Sequence, residues 1–106
     1  MVTYDQFLKE ILIDEATLQK RVSELGAEIS RDYAGTDNLL LICILKGGVM
    51  FLTDLMRRLT VPHEIDFLAV SSYGKGARES TGNVRIDMDL TAQVIGKHVL
   101  IVEDII

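Results

Sequence analysis

The stretch "LLLICILKGGVMFLTDLMRRLTVPHEIDFLAVSS", Leu39 to Ser72, decides the fold. Its first seven residues, Leu39 to Leu45, are apolar without interruption and too few for a core helix, so they read as a strand buried on both faces. Lys46, Gly47 and Gly48 end that strand. From Gly48 onward the spacing changes to Val49, Leu52, Leu55, Met56 and Leu59, which is helical, and Pro62 closes the segment. Glu64 to Ser72 reads as the next strand. Strand, helix and strand in this order form a βαβ unit, in which the crossover makes the two strands parallel. The fold class is therefore α/β.

Upstream, Asp14 is a plausible N-cap, and Leu18, Val22, Leu25, Ile29 and Tyr33 recur every three or four residues up to Gly35. This predicts a helix whose apolar stripe packs on a sheet. Glu10 to Ile13 reads as a short strand or a frayed turn. Downstream, Tyr73 to Gly82, "YGKGARESTG", is a glycine-rich loop expected to be mobile. Val84, Ile86, Met88 and Leu90 alternate with Arg85, Asp87 and Asp89, the period of a strand with one wet face. Loop and flanks together predict a protruding hairpin, with no chemistry assigned to Asp87 or Asp89. After a turn at Gly96, "HVLIVED" predicts a second buried strand.

Composition bounds the function. A 106-residue chain with 48% hydrophobic and 25% charged residues is at most one domain and has the balance of a folded one. Its net charge of −5 disfavours broad attraction to nucleic acid or an anionic membrane, so any anion must be held locally. The longest apolar run is far short of a membrane span, and the first residues lack the pattern of a signal peptide. A cytoplasmic protein is expected. The single cysteine, Cys43, reads as a buried structural thiol, and His63 and His98 lack metal-ligand spacing.

In doubly wound sheets ligands bind beyond the carboxyl ends of the strands, so the loops after Leu45, Ser72 and Val102 should share one mouth. "LKGG" places a cation and two side-chain-free units before a helix, a pattern suited to phosphate or pyrophosphate. A tight turn with a solvated lysine is the simpler reading of these residues alone. Glu103 and Asp104 at the tip of the last strand suit two ribose hydroxyls and a hydrated Mg²⁺ ion, or equally a solvated acidic turn. "SSYGKGARESTG" suits a lid or an ordinary hairpin tip.

In this order, "LLICILKGGVMFLTDLMRRL", "VPHEIDFLAVSSYG", "RESTGNVRIDMDL" and "GKHVLIVEDII" resemble the bacterial type of hypoxanthine (hypoxanthine-guanine) phosphoribosyltransferase, from about Ile11 onward. The resemblance implies a type I phosphoribosyltransferase fold: a parallel, Rossmann-like core with a protruding hairpin lid. Residues 1–106 would form a single incomplete domain of this type, truncated after the strand of the phosphoribosyl-pyrophosphate (PRPP) motif. It implies purine salvage, the transfer of 5-phosphoribosyl from PRPP to hypoxanthine or guanine. Lys46, Gly47 and Gly48 would form the pyrophosphate loop, with a cis peptide between Leu45 and Lys46. Ser72 and Tyr73 would belong to the lid, and Glu103 and Asp104 would face the ribose hydroxyls and Mg²⁺, reached through PRPP or water. The complete protein would be a dimer or tetramer. The family's base pocket and 5′-phosphate cradle are carried by residues that have no counterpart among these 106, so the chain alone is expected to be inactive. An alternative of the same fold is a non-catalytic PRPP-binding regulator, which the acidic charge disfavours as an RNA binder. A third reading, a generic Rossmann-like domain, fails because no G-x-G-x-x-G follows a strand.

Overall fold

The computed structural model describes residue 10, residues 12–72 and residues 84–105. Among them the chain forms α1 (Glu15–Asp32), β1 (Leu39–Leu45), α2 (Val49–Met56), β2 (His63–Ser72), β3 (Val84–Met88) and β4 (His98–Val102). The four strands make one sheet in the order β3-β2-β1-β4. β1 pairs in parallel with both β2 and β4, whereas β3 returns antiparallel to β2. The sheet is therefore mixed, with a parallel core of three strands.

β1 lies at the centre because it is apolar on both sides. Leu39, Leu41 and Cys43 join Val22 of α1, Leu52 and Leu55 of α2, Val61 and Val102 in one buried cluster, which places both helices on the same face of the sheet. Leu25, Ile29 and Tyr33 pack against this cluster, so the predicted stripe of α1 meets the sheet as expected. Asp14 caps the helix by accepting a hydrogen bond from the Thr17 backbone N–H at 2.7 Å, which holds its carboxyl below the usual range. The helix is docked on the turn after α2 at two points. At Gly26 a Cβ would lie 2.5 Å from the Arg58 Cβ, and the buried Ser30 Oγ accepts from the Thr60 N–H at 3.0 Å.

The opposite face is covered differently. Leu40 and Ile42 point there, beside Glu64 and Asp66 of β2 and Val99 and Ile101 of β4. Because β3 and β4 lie at opposite edges, residues 89–97 must cross the sheet, and hydrogen bonds place this crossover over the face away from the helices. Asp66 accepts from the N–H groups of Thr91 at 2.9 Å and Ala92 at 2.7 Å, and Lys97 pairs with Glu64. Both Leu40 and Ile42 are buried.

Several expectations are corrected. β4 is no buried strand: Val99 and Ile101 are exposed, because among the described residues β4 pairs with β1 alone and nothing covers its outer face. β3 has exposed residues on both faces, Ile86 and Met88 included, since neither the helices nor the crossover reaches that edge. α2 stops at Met56, short of Leu59, where the chain turns toward β2. Leu12 and Ile13 form an exposed bend, with no strand among the described residues of that segment. The hairpin itself is present, as Ser72 pairs with Val84, and its tip lies outside the described residues.

Candidate functional site

Parallel pairing of β1 with β2 and β4 brings their carboxyl ends to one side of the sheet. Two of the three expected loops, "LKGG" and "EDII", are consequently neighbours there. The contact is intimate: a Cβ on Gly47 would overlap the Asp104 carboxylate, so a side chain there would push that carboxylate from its place. Gly48 is buried against the end of β4, where a Cβ would stand 3.0 Å from the Val102 carbonyl oxygen. The turn is closed by Gly48 N–H donating to the Ile44 carbonyl and Val49 N–H donating to the Lys46 carbonyl, each at 3.2 Å. The Leu45–Lys46 peptide is cis, as the resemblance implied. Lys46 itself is exposed, and its ammonium group has no ion-pair partner among the described residues.

α2 begins directly behind this turn with Gly48 at its N-cap and no side-chain cap. The helix N-terminus adds a positive potential to that of Lys46, and the exposed turn offers backbone to an anion. Facing it are the two carboxylates. Glu103 and Asp104 are both exposed, and together with Arg21 and Asp54 they border a cavity of about 430 Å³ floored by apolar side chains of α1 and α2, Leu18 and Phe51 among them. An exposed turn carrying a lysine and a carboxylate pair thus lie side by side at one mouth.

Ser72 ends β2, three residues beyond Ala69, the last partner of β1, so the hairpin rises past the strand ends beside the turn. Tyr73 lies outside the described residues. Cys43 is fully buried, with its sulfur under the Gly48 turn, and burial pushes its thiol up, as suits a structural residue.

Hard oxygen donors are the right chemistry for Mg²⁺, which keeps several waters and is commonly held by one or two carboxylates plus substrate phosphates. Glu103 and Asp104 fit that use. No group of three or more metal-ligating side chains occurs among the described residues, so these acids make no closed cage. Two residues of the cavity wall were not readable in the sequence. Arg21 and Asp54 reach the cavity only because α1 and α2 pack side by side. Asp66 did leave a signal, an acid between Ile65 and Phe67 within an apolar strand, where a buried carboxylate must find donors.

Residues 9–106 match the phosphoribosyl transferase domain family, and the chain belongs to it. The proteins it is similar to include hypoxanthine phosphoribosyltransferases. It is 48% identical over 98 residues to the hypoxanthine phosphoribosyltransferase of Buchnera aphidicola subsp. Schizaphis graminum, covering 92% of this chain and 55% of that protein. It is 43% identical over 101 residues to the hypoxanthine-guanine phosphoribosyltransferase of Dictyostelium discoideum, covering 92% of this chain and 56% of the other. The crystal structure of a hypoxanthine phosphoribosyltransferase from Staphylococcus aureus superposes with a TM-score of 0.83 at 43% identity, over 95% of this chain and 54% of that one. The chain thus spans about half the length of the curated relatives it matches. The type I phosphoribosyltransferase fold expected from the sequence is borne out.

Proposed function

We propose that these residues form the pyrophosphate and ribose side of a purine salvage enzyme that transfers 5-phosphoribosyl from PRPP to hypoxanthine or guanine. In that reaction N9 of the purine bonds to C1 of the ribose while the C1–oxygen bond to pyrophosphate breaks, giving IMP or GMP. The observation that carries the reading is the meeting of Gly47 with the Asp104 carboxylate at the ends of two neighbouring parallel strands. One element suits the diphosphate and the other the ribose that bears it.

Each part has a task in this reading. Lys46 and the backbone of Gly47 receive the pyrophosphate and stabilise the charge that grows on it as the bond breaks, while Gly48, its N–H bonded to the Ile44 carbonyl, shapes the loop behind them. Glu103 and Asp104 accept hydrogen bonds from the ribose hydroxyls and orient C1 toward the incoming base. They would also hold Mg²⁺ through water or through PRPP, and that ion would neutralise the leaving group. Ser72 and Tyr73 are assigned to a lid that keeps water from the reacting carbon, on the strength of the resemblance. The reading includes a cytoplasmic setting and a dimer or tetramer of the complete protein. Among the described residues no helix is long and apolar enough to cross a membrane.

The test uses the full natural chain carrying this sequence, assayed for IMP formation from hypoxanthine, PRPP and Mg²⁺. Glu103→Gln and Asp104→Asn should each lower kcat/KM by about two orders of magnitude or more. Near-normal turnover in both variants would defeat the site assignment, and no IMP formation by the unaltered chain would defeat the function. The 106 residues alone should form no IMP, because base recognition is assigned to residues outside them.

A further inference from the structure

Gly48 adopts φ −79° and ψ −6°, a right-handed conformation open to any residue, so glycine is needed there for space rather than for backbone freedom. That space is closed from three sides. A Cβ on Gly48 would stand 3.0 Å from the Val102 carbonyl oxygen, 3.1 Å from that of Ile44 and 3.3 Å from the Cys43 sulfur. Two of these neighbours are backbone at the ends of adjacent strands. The third is a side chain outside the machinery of the transfer.

Cys43 sits where the elements of the site converge. It is fully buried in the cluster beneath both helices, and it pairs in parallel with Val102, the residue that leads into Glu103 and Asp104. Its sulfur lies 3.8 Å from the Ile44 carbonyl oxygen, which also accepts the Gly48 N–H at 3.2 Å and so closes the turn. From the other side the turn is fixed by α2: the Leu52 N–H donates to the Gly48 carbonyl at 2.9 Å, and the Leu52 side chain is buried in the same cluster. Gly48 is therefore held between the start of a helix and one sulfur atom. A close-packed interior passes a change of volume on to its neighbours rather than absorbing it. The neighbour here is the turn that carries Lys46 and Gly47.

We propose that Cys43 is a positioning residue: the single γ atom of its side chain seats Gly48 and so sets where Lys46 and Gly47 stand relative to Glu103 and Asp104. This rests on the function proposed above, in which that turn receives pyrophosphate. A residue with no γ atom leaves the turn unsupported. One with two lifts it, because β-branched side chains are stiff and overpacked sites shift their backbone. Cys43 is buried beneath the turn, so it acts through Gly48 rather than on the ligand.

The experiment titrates inorganic pyrophosphate with Mg²⁺ into the full natural chain carrying this sequence, by calorimetry, for Cys43→Ala, Cys43→Ser and Cys43→Val. Leu41→Val removes volume from the same buried cluster further from the turn and serves as a control for general destabilisation. Affinity should fall about tenfold or more in Cys43→Ala and Cys43→Val and stay within about threefold in Cys43→Ser and Leu41→Val, at a temperature where each is folded. Serine keeps one γ atom but places a hydroxyl in an apolar core, so its melting temperature should drop although its affinity does not. A merely structural role would make affinity follow melting temperature. That order, or unchanged affinity in both Cys43→Ala and Cys43→Val, would overturn the inference. Should Cys43→Val fail to fold, Cys43→Ala against Cys43→Ser decides it. In the assay of IMP formation, kcat/KM for PRPP should fall in the same two variants. No IMP formation by an unaltered chain that binds pyrophosphate would defeat the proposed function alone, and no pyrophosphate binding by the unaltered chain would overturn this inference.

Discussion

At the scale of single residues, two glycines do opposite kinds of work. Gly47 makes room for a functional group, the Asp104 carboxylate, on an exposed turn. Gly47→Ala is expected to displace that carboxylate and lower kcat/KM of the full natural chain by about a hundredfold, the size of effect that small misplacements produce. Thermal melting should move little, since the turn is exposed. Gly26 makes room for packing, where a Cβ would meet Arg58 at 2.5 Å. Alanine would raise helix propensity by about 1 kcal/mol, but forced contacts in packed regions typically cost about 1–3 kcal/mol. A lower melting temperature is expected for Gly26→Ala, and a higher one would show that the helices move apart freely. Of these two, Gly47 was legible from its motif. Gly26 was not, because a glycine inside a helical pattern reads only as a weak point until the neighbouring turn is known.

At the scale of elements, the crossover from β3 to β4 is held by ionised groups rather than by apolar burial. The N–H groups of Ala92 and Phe67, then of Thr91, hold the Asp66 carboxyl below its ordinary value of 3.8. The native state therefore takes up a proton less readily than the unfolded chain. The stabilisation from Asp66 is complete above an ordinary carboxylate pKa and is lost as pH falls through the lower native value. Asp14, lowered by its Thr17 partner, acts in the same direction. Urea midpoints measured from pH 7 down to pH 3 should decline more steeply in the parent chain than in Asp66→Asn, and parallel curves would contradict the lowered pKa. The elements themselves were largely legible: α1, β1, α2 and β2 follow their apolar periods. The crossover was not, for its stability comes from backbone donors that leave no mark in composition.

At the scale of the whole molecule, burial is lopsided. One face of the sheet is packed by two helices, and the other is crossed by an irregular segment that leaves Ile101 of β4 68% exposed. β4 is an edge strand among the described residues, and exposed apolar edges promote association between chains. Ile101→Lys should therefore keep more of the 106-residue chain monomeric at high concentration, as read by light scattering, with only a small change in melting temperature. An equal degree of association would mean that other surfaces govern it. By itself the sequence determined the α/β class, the central strand, the helix that follows it and the two loop motifs, because apolar periodicity and chain-breaking residues act locally. Only the tertiary structure decided that Gly47 and Asp104, distant in sequence, touch, that β4 lies open, and that Asp66 ties the β3–β4 crossover to the sheet. Each of these depends on which strands become neighbours, and strand order is set by the energy of the assembled sheet rather than by any one segment.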